Sequence, residues 1–426
     1  MKKKNERNYK WYKLDNAATI FPSTTRGSDT RVFRIVCELK EDVVEEKLQE
    51  ALDITIEEFP HFNVVLRKGL FWYYLDSTSQ TATVTEDTLH ECSPIYFPGR
   101  HELLYRVTYY RKRINLEMFH VLADGTGAIT FLKAIVTNYL KLVHDLEIEE
   151  IKGNKSTAEE KQGDAFKQFY SKENATDVVT GKGIKRAYQI KQYKDENLRS
   201  HLVEGTVMAD KFMDLAHELG TTAGVLSVSL FIESILESMP KLSHKKPIIV
   251  SVPVNLRQFF SSETTRNFFG VILIKFYPDN YDGTIQSIAK VVKQEFKEQL
   301  NPDNIRKTMN GYSTLERNLI LKMVPLSLKD PVIHFYATRA KKGTTATISN
   351  LGRVEMPEEL CEYIDSFSAF MSTPDMQICI STFGNKMIFG AVSAYTDHSV
   401  LVNFFRKLSG YGMDVTIATN DYDSEE

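Results

Sequence analysis

Helical and extended patterns alternate along this 426-residue chain on both sides of a polar interruption, and that alternation limits its fold more than any other feature. In 41–59 the apolar residues Val44, Leu48, Ala51, Leu52 and Ile56 recur with a 3.6-residue period, and Pro60 ends the helix they predict. Extended runs follow at 62–67, 71–75, 103–110 and 114–121, the last two joined by the charged turn Arg111, Lys112, Arg113 into a hairpin. Past a loop, Ala128, Leu132, Ile135, Tyr139 and Leu142 step by four and three, which predicts a second amphipathic helix.

From 145 to about 178 the pattern dissolves into charged and small polar residues, as an interdomain crossover does. Its continuation, 181–194, carries Lys182, Lys185, Arg186, Lys191 and Lys194 with no acid among them, a solvated surface or a candidate for anion contact. The second half restarts with predicted helices at 207–219, closed by Gly220, and at 223–239. Strands are expected at 247–254, 268–277 and 344–349, a helix at 285–300, and a hairpin of 376–382 with 387–394 around Gly384 and Asn385. Interleaved elements in both halves imply α/β or α+β layers. Two domains are expected, 1–165 and 166–426, with the crossover at 145–200.

Composition narrows the class. A balance of 53 basic against 56 acidic residues, net charge −3, argues against a protein devoted to nucleic acid. Cys37, Cys92, Cys361 and Cys379 form no CxxC pair, so neither a zinc site nor a redox dithiol is indicated, and buried reduced thiols are expected. The N-terminal lysines precede polar residues and not a signal-peptide core, while the apolar stretch 223–239 is broken by Glu233 and Glu237. A cytoplasmic protein without an integral membrane segment is the expectation.

The chemistry-bearing string is His120, Val121, Leu122, Ala123, Asp124, Gly125, placed where the hairpin strand meets a loop and the next helix, which is expected to start after Gly127. Rigid flanking elements and an open loop side suit a reactive group there. Imidazole titrates near 6.5 and suits proton abstraction at neutral pH, so His120 is the candidate general base. Four residues of non-helical chain can separate His120 and Asp124 by as much as about 13 Å, so Asp124 is read as half of a structural ion pair. Gly125 would give the backbone freedom for the turn into the helix.

His120, Asp124 and Gly125 in this setting resemble the HxxxDG motif of the CoA-dependent acyltransferase superfamily, which includes chloramphenicol acetyltransferase, the plant BAHD enzymes, condensation domains and alcohol acetyltransferases. Pro253, Val254, Asn255, Leu256 and Arg257 with Asn267, Phe268, Phe269 and Gly270 resemble its strand pair behind the active-site tunnel, and Ser349 to Gly352 its later lining segment. On this resemblance Arg257 is the expected ion-pair partner of Asp124, and Ser349 and Asn350 could face an oxyanion or line the substrate site, although Ser and Asn before Gly also form plain turns. Bacterial alcohol acetyltransferase-type proteins are the nearest in kind. Phe119 stands where many condensation domains carry a first histidine, and the plant DFGWG motif is absent. The resemblance implies two chloramphenicol-acetyltransferase-like domains, each a mixed sheet flanked by helices, with His120 midway along a tunnel between them. It implies acyl-CoA as co-substrate without a bound cofactor or metal, a small-molecule alcohol or amine as acceptor, and direct transfer with no acyl-enzyme. Oligomeric state stays open, a monomer being sufficient. A carrier-protein-dependent condensation-type enzyme and a catalytically silent binding module are the alternatives.

Overall fold

The structure is a computed structural model and describes residues 11–147, 158–169, 186–197, 199–317 and 323–420. Its first large sheet has five strands in the order Ile364–Met371, Val32–Leu39, Arg113–Phe119, Tyr105–Tyr110, Thr85–Glu86. The second has seven, in the order Phe269–Phe276, Ile248–Asn255, Ala346–Arg353, Met376–Phe383, Lys386–Ser393, His201–Met208, Thr416–Thr419. Ala346–Arg353 runs parallel to both of its neighbours, so this sheet is mixed. A three-stranded sheet of Trp11–Lys13, Tyr73–Ser77 and Val64–Lys68 completes the fold.

Helices cover the sheets as the periodicity requires. Glu45–Glu58 and Gly125–His144 pack on each other, burying Leu48, Ala51 and Leu52 of the first with Phe131, Leu132 and Ile135 of the second. On the seven-stranded sheet lie Ala223–Glu237, Ile285–Gln299 and Ser399–Gly410. The serines of Ala223–Glu237 do not prevent its burial, because Ser227, Ser229 and Ser234 donate to carbonyls one turn back. No single helix among the described residues is long and apolar enough to cross a membrane. All four cysteines are free thiols, with Cys37, Cys92 and Cys379 buried.

Most expected elements are present, with shifted ends. The helix expected from 207 begins at Ala209 and ends before Gly220, whose φ of +62° suits glycine, while Val207 and Met208 finish a strand. That strand is cryptic because Glu204, Gly205 and Thr206 interrupt its apolar pattern, and Glu204 is compensated by Arg113 at 3.2 Å. Val32–Leu39 escapes the sequence-based assignment for the same reason: its Arg34 is buried with Nε 2.8 Å from Glu117 and Nη1 2.6 Å from Asp87.

Dividing the chain at 165/166 does not sort the strands cleanly. Ile364–Met371, deep in the second half, pairs antiparallel with Val32–Leu39 and forms the edge of the first sheet. Its other side meets the second sheet, where Ser381 Oγ donates to the Phe367 carbonyl at 2.6 Å. Residues 148–157, 170–185 and 198 of the 145–200 crossover, Lys182 and Lys185 among them, lie outside the described residues.

Candidate active site

The hairpin strand Arg113–Phe119 delivers His120 to the sheet's end, where the backbone turns and Leu122 N donates to the Phe119 carbonyl at 3.0 Å. The His120 amide donates to the Arg31 carbonyl at 2.9 Å, and Arg31 itself is left-handed with φ +54°. Non-glycine residues adopt that conformation only when their surroundings impose it. Phe21, Phe33 and Phe269 surround the half-buried imidazole at ring-centre distances of 4.7, 5.2 and 5.6 Å.

One polar contact fixes the ring. His120 Nδ1 is 2.9 Å from Asn267 Oδ1, while Asn267 Nδ2 donates to the His120 carbonyl at 3.0 Å and to Asp15 Oδ2 at 3.2 Å. Two oxygen acceptors on one side of the amide settle its orientation, because only the NH2 group satisfies both. The amide oxygen therefore faces Nδ1, which must carry the proton, and the Nε2 lone pair is left as the basic position. Burial holds the imidazole below its ordinary pKa; the Asp124 charge opposes that shift and the Arg31 charge adds to it.

Asp15 anchors this arrangement. Its carboxylate is buried, accepts from Ala18 N at 2.8 Å, and has Arg266 Nε at 3.7 Å. Burial raises its pKa to about 6 against the lowering effect of Arg266.

Asp124 does not orient the ring. It is the N-cap of Gly125–His144, its Oδ1 accepting from Gly127 N at 2.9 Å, so the helix starts three residues earlier than expected. Its Oδ2 accepts from Phe268 N at 2.8 Å and pairs with Arg257 Nη1 at 2.7 Å. Arg257 also donates to the carbonyls of Thr264 and Arg266, at 2.9 and 2.6 Å. Together the pair shapes the segment 264–268, which carries Asn267 to His120.

Gly125 needs a different explanation from the one expected. It sits in the first helical turn without positive φ, and a Cβ there would lie 2.6 Å from Leu351 Cδ2. Gly127 is more tightly constrained, since a Cβ would overlap the Thr265 carbonyl. The motif helix and the segment 264–268 thus touch through backbone.

Ser349 and Asn350 lie on Ala346–Arg353, the strand that also carries Leu351. Ser349 Oγ donates to Cys379 Sγ at 3.2 Å, and Asn350 Oδ1 accepts from Gly352 N at 2.7 Å in a turn where Gly352 has φ +79°. No hydrogen bond joins either residue to His120 among the described residues. In the basic patch, Lys194 is engaged with Asp375 at 3.2 Å, while Arg186 and Lys191 are exposed. Asp15 is the residue that sequence reading misses; its only local signal is an acid between apolar Leu14 and Ala17–Ala18.

No family model matches the sequence, and no match is found among curated proteins. Solved structures do match. The TRI3 trichothecene 15-O-acetyltransferase from Fusarium sporotrichioides aligns at TM-score 0.63 and 10% identity, over 95% of this chain and 94% of that one. The TRI101 protein of the same organism, solved with coenzyme A and T-2, aligns at 0.65 and 9%, over 95% and 99%. The first condensation domain of the calcium-dependent antibiotic synthetase aligns at 0.61 and 11%, over 94% and 95%. The chain has the two-domain, chloramphenicol-acetyltransferase-like fold common to these acetyltransferases and condensation domains.

Proposed function

We propose that the protein is a CoA-dependent acyltransferase that moves an acyl group from acyl-CoA to the hydroxyl or amine of a small-molecule acceptor, with His120 as general base. The observation that carries this reading is the His120–Asn267–Asp15 array, which leaves Nε2 basic at a strand–loop–helix junction. In this scheme Nε2 takes the acceptor's proton as its oxygen or nitrogen attacks the thioester carbonyl. The tetrahedral intermediate then collapses, the carbon–sulfur bond breaks, and the CoA thiolate takes the proton back from the imidazolium. Ser349 Oγ is the candidate donor to the oxyanion, its present partner being only a thiol sulfur. No acyl-enzyme is required, and burial keeps the Cys92 and Cys379 thiols protonated.

The likeness to a condensation domain supports a second reading, in which a carrier protein presents the donor. Calorimetry with acetyl-CoA separates the two: micromolar binding supports the free-CoA reading, and no binding with turnover of a carrier-borne thioester supports the other. For either donor, His120→Ala is expected to lower turnover about 10²- to 10⁴-fold with the circular dichroism spectrum unchanged. Parental turnover in that variant would exclude His120 as the base. Initial-rate lines should intersect, and mass spectrometry after acyl-CoA alone should find no stoichiometric acyl adduct.

A further inference from the structure

The helix Leu326–Lys341 turns an apolar stripe outward. Leu328, Val332, Phe335 and Tyr336 follow one another at helical spacing on its solvent side, each between 53% and 64% exposed. A soluble helix ordinarily turns such a stripe inward. Here the inward side is occupied otherwise: Asp330 accepts from Ser23 Oγ at 2.7 Å and Tyr73 OH at 2.9 Å and pairs with Lys68 at 2.8 Å. The tip of the Val64–Lys68/Tyr73–Ser77 hairpin joins the same face, since Leu326 N donates to the Leu70 carbonyl at 2.9 Å and Lys329 Nζ to the Phe71 carbonyl at 2.7 Å. Leu70 and Trp72 are also exposed at that tip.

Charge identifies the occupant. Residues 67–76 and 323–342 hold six cations against two acids, and Lys341 is paired with Asp29, which leaves a local charge of +3 in a chain whose net charge is −3. Arg339 continues the stripe and Lys342 follows the last turn. No ion pair engages either among the described residues. Exposed aliphatic and aromatic side chains rimmed by lysine and arginine are the composition that seats a helix in the headgroup region of an anionic bilayer. Position gives the face a use. Leu326–Lys341 packs on Phe21–Thr24, and the Phe21 ring lies 4.7 Å from His120, with Ile20 beside it exposed.

We infer that this face docks on anionic lipid and that the acceptor class is a lipid-soluble alcohol or amine, reaching His120 past Phe21. The acceptor half of the inference rests on the acyltransfer reading above, whereas the docking half does not. The test is sedimentation of the full chain with phosphatidylcholine vesicles and with 3:1 phosphatidylcholine–phosphatidylglycerol vesicles at low and high salt. Docking predicts partition onto the phosphatidylglycerol vesicles that weakens with salt, falls at least about tenfold in Arg339→Glu/Lys342→Glu, and falls comparably in Leu328→Ser/Phe335→Ser/Tyr336→Ser. Circular dichroism confirms that each variant is folded. A wild type that stays in the supernatant, variants that partition like the wild type, or a dimer by light scattering that the serine variant dissolves would each overturn it, the last by assigning the face to a second copy. Docking retained while a His120→Ala variant turns over acyl-CoA like the wild type would instead refute the acyltransfer reading alone.

Discussion

Asn267 is the residue on which the chemistry of His120 depends most directly. Its amide oxygen selects the Nδ1-protonated tautomer, and burial keeps the ring below its ordinary pKa. On the proposed mechanism kcat/KM is therefore flat at neutral pH, and its acid limb lies below the ordinary imidazole range. Asn267→Ala removes the acceptor that favours the charged, Nδ1-protonated ring, so it should lower kcat and move that acid limb downward. A kcat and pH profile identical to those of the wild type would uncouple Asn267 from catalysis. His61 offers a separate stability test. It is buried against Thr265 Oγ1 at 2.7 Å, and burial, helped by Arg266 and Lys161, lowers its pKa to about 3. The unfolded chain protonates it near 6.5, so between these values the unfolded state binds more protons and stability is lost as pH falls. Denaturant titrations should show the stability difference between pH 7 and pH 5 shrinking by about 2 kcal/mol in His61→Gln. Asp15, raised to about 6, acts in the opposite sense, favouring the folded state below pH 4 and losing that contribution as pH rises through 6.

At the scale of elements, the start of Gly125–His144 and the segment 264–268 form one unit. Asp124 caps the helix and receives Phe268 N and Arg257, while Gly127 lets the Thr265 carbonyl touch the helix backbone. Asp124→Asn leaves the buried Arg257 charge without its partner and is expected to cost about 3 to 5 kcal/mol in thermal or chemical denaturation. Gly127→Ala should be worse than Gly125→Ala. The first collides with backbone that cannot yield without moving Asn267, the second with the end of the Leu351 side chain, which can change rotamer. Equal stability and turnover in the two alanine variants would refute this ordering.

For the whole molecule, Ile364–Met371 decides whether the halves behave independently. It is hydrogen-bonded into the first sheet and packed on the second, and Arg113 bridges Glu38 of one sheet to Glu204 of the other. Unfolding should accordingly be a single transition when followed by Trp11 and Trp72 fluorescence and by far-ultraviolet circular dichroism. Gly390 is the close approach in this junction, because a Cβ there would overlap the Ala369 carbonyl. Gly390→Ala should cost about 1 to 3 kcal/mol and separate the two probes' transitions. Coincident, unshifted transitions in that variant would show the sheets to be independent of this contact.

Local pattern alone determined the interleaved helices and strands, the hairpin that ends at His120 and the amphipathic helix that follows, because burial periodicity and turn residues act over a few neighbours. It also marked His120 and Asp124, whose spacing is a local property, and paired Asp124 with Arg257 through likeness to a known family. Strands that bury charge were hidden, since Arg34 and Glu204 look exposed until Glu117, Asp87 and Arg113 arrive from elsewhere in the chain. The same holds for Asp15 and Asn267, 252 residues apart in sequence and hydrogen-bonded in space. Tertiary structure alone decided the tautomer of His120, the glycine that matters most at the motif helix, and the outward stripe of Leu326–Lys341. Each is set by which groups meet across long stretches of chain, and one-dimensional spacing does not encode those meetings.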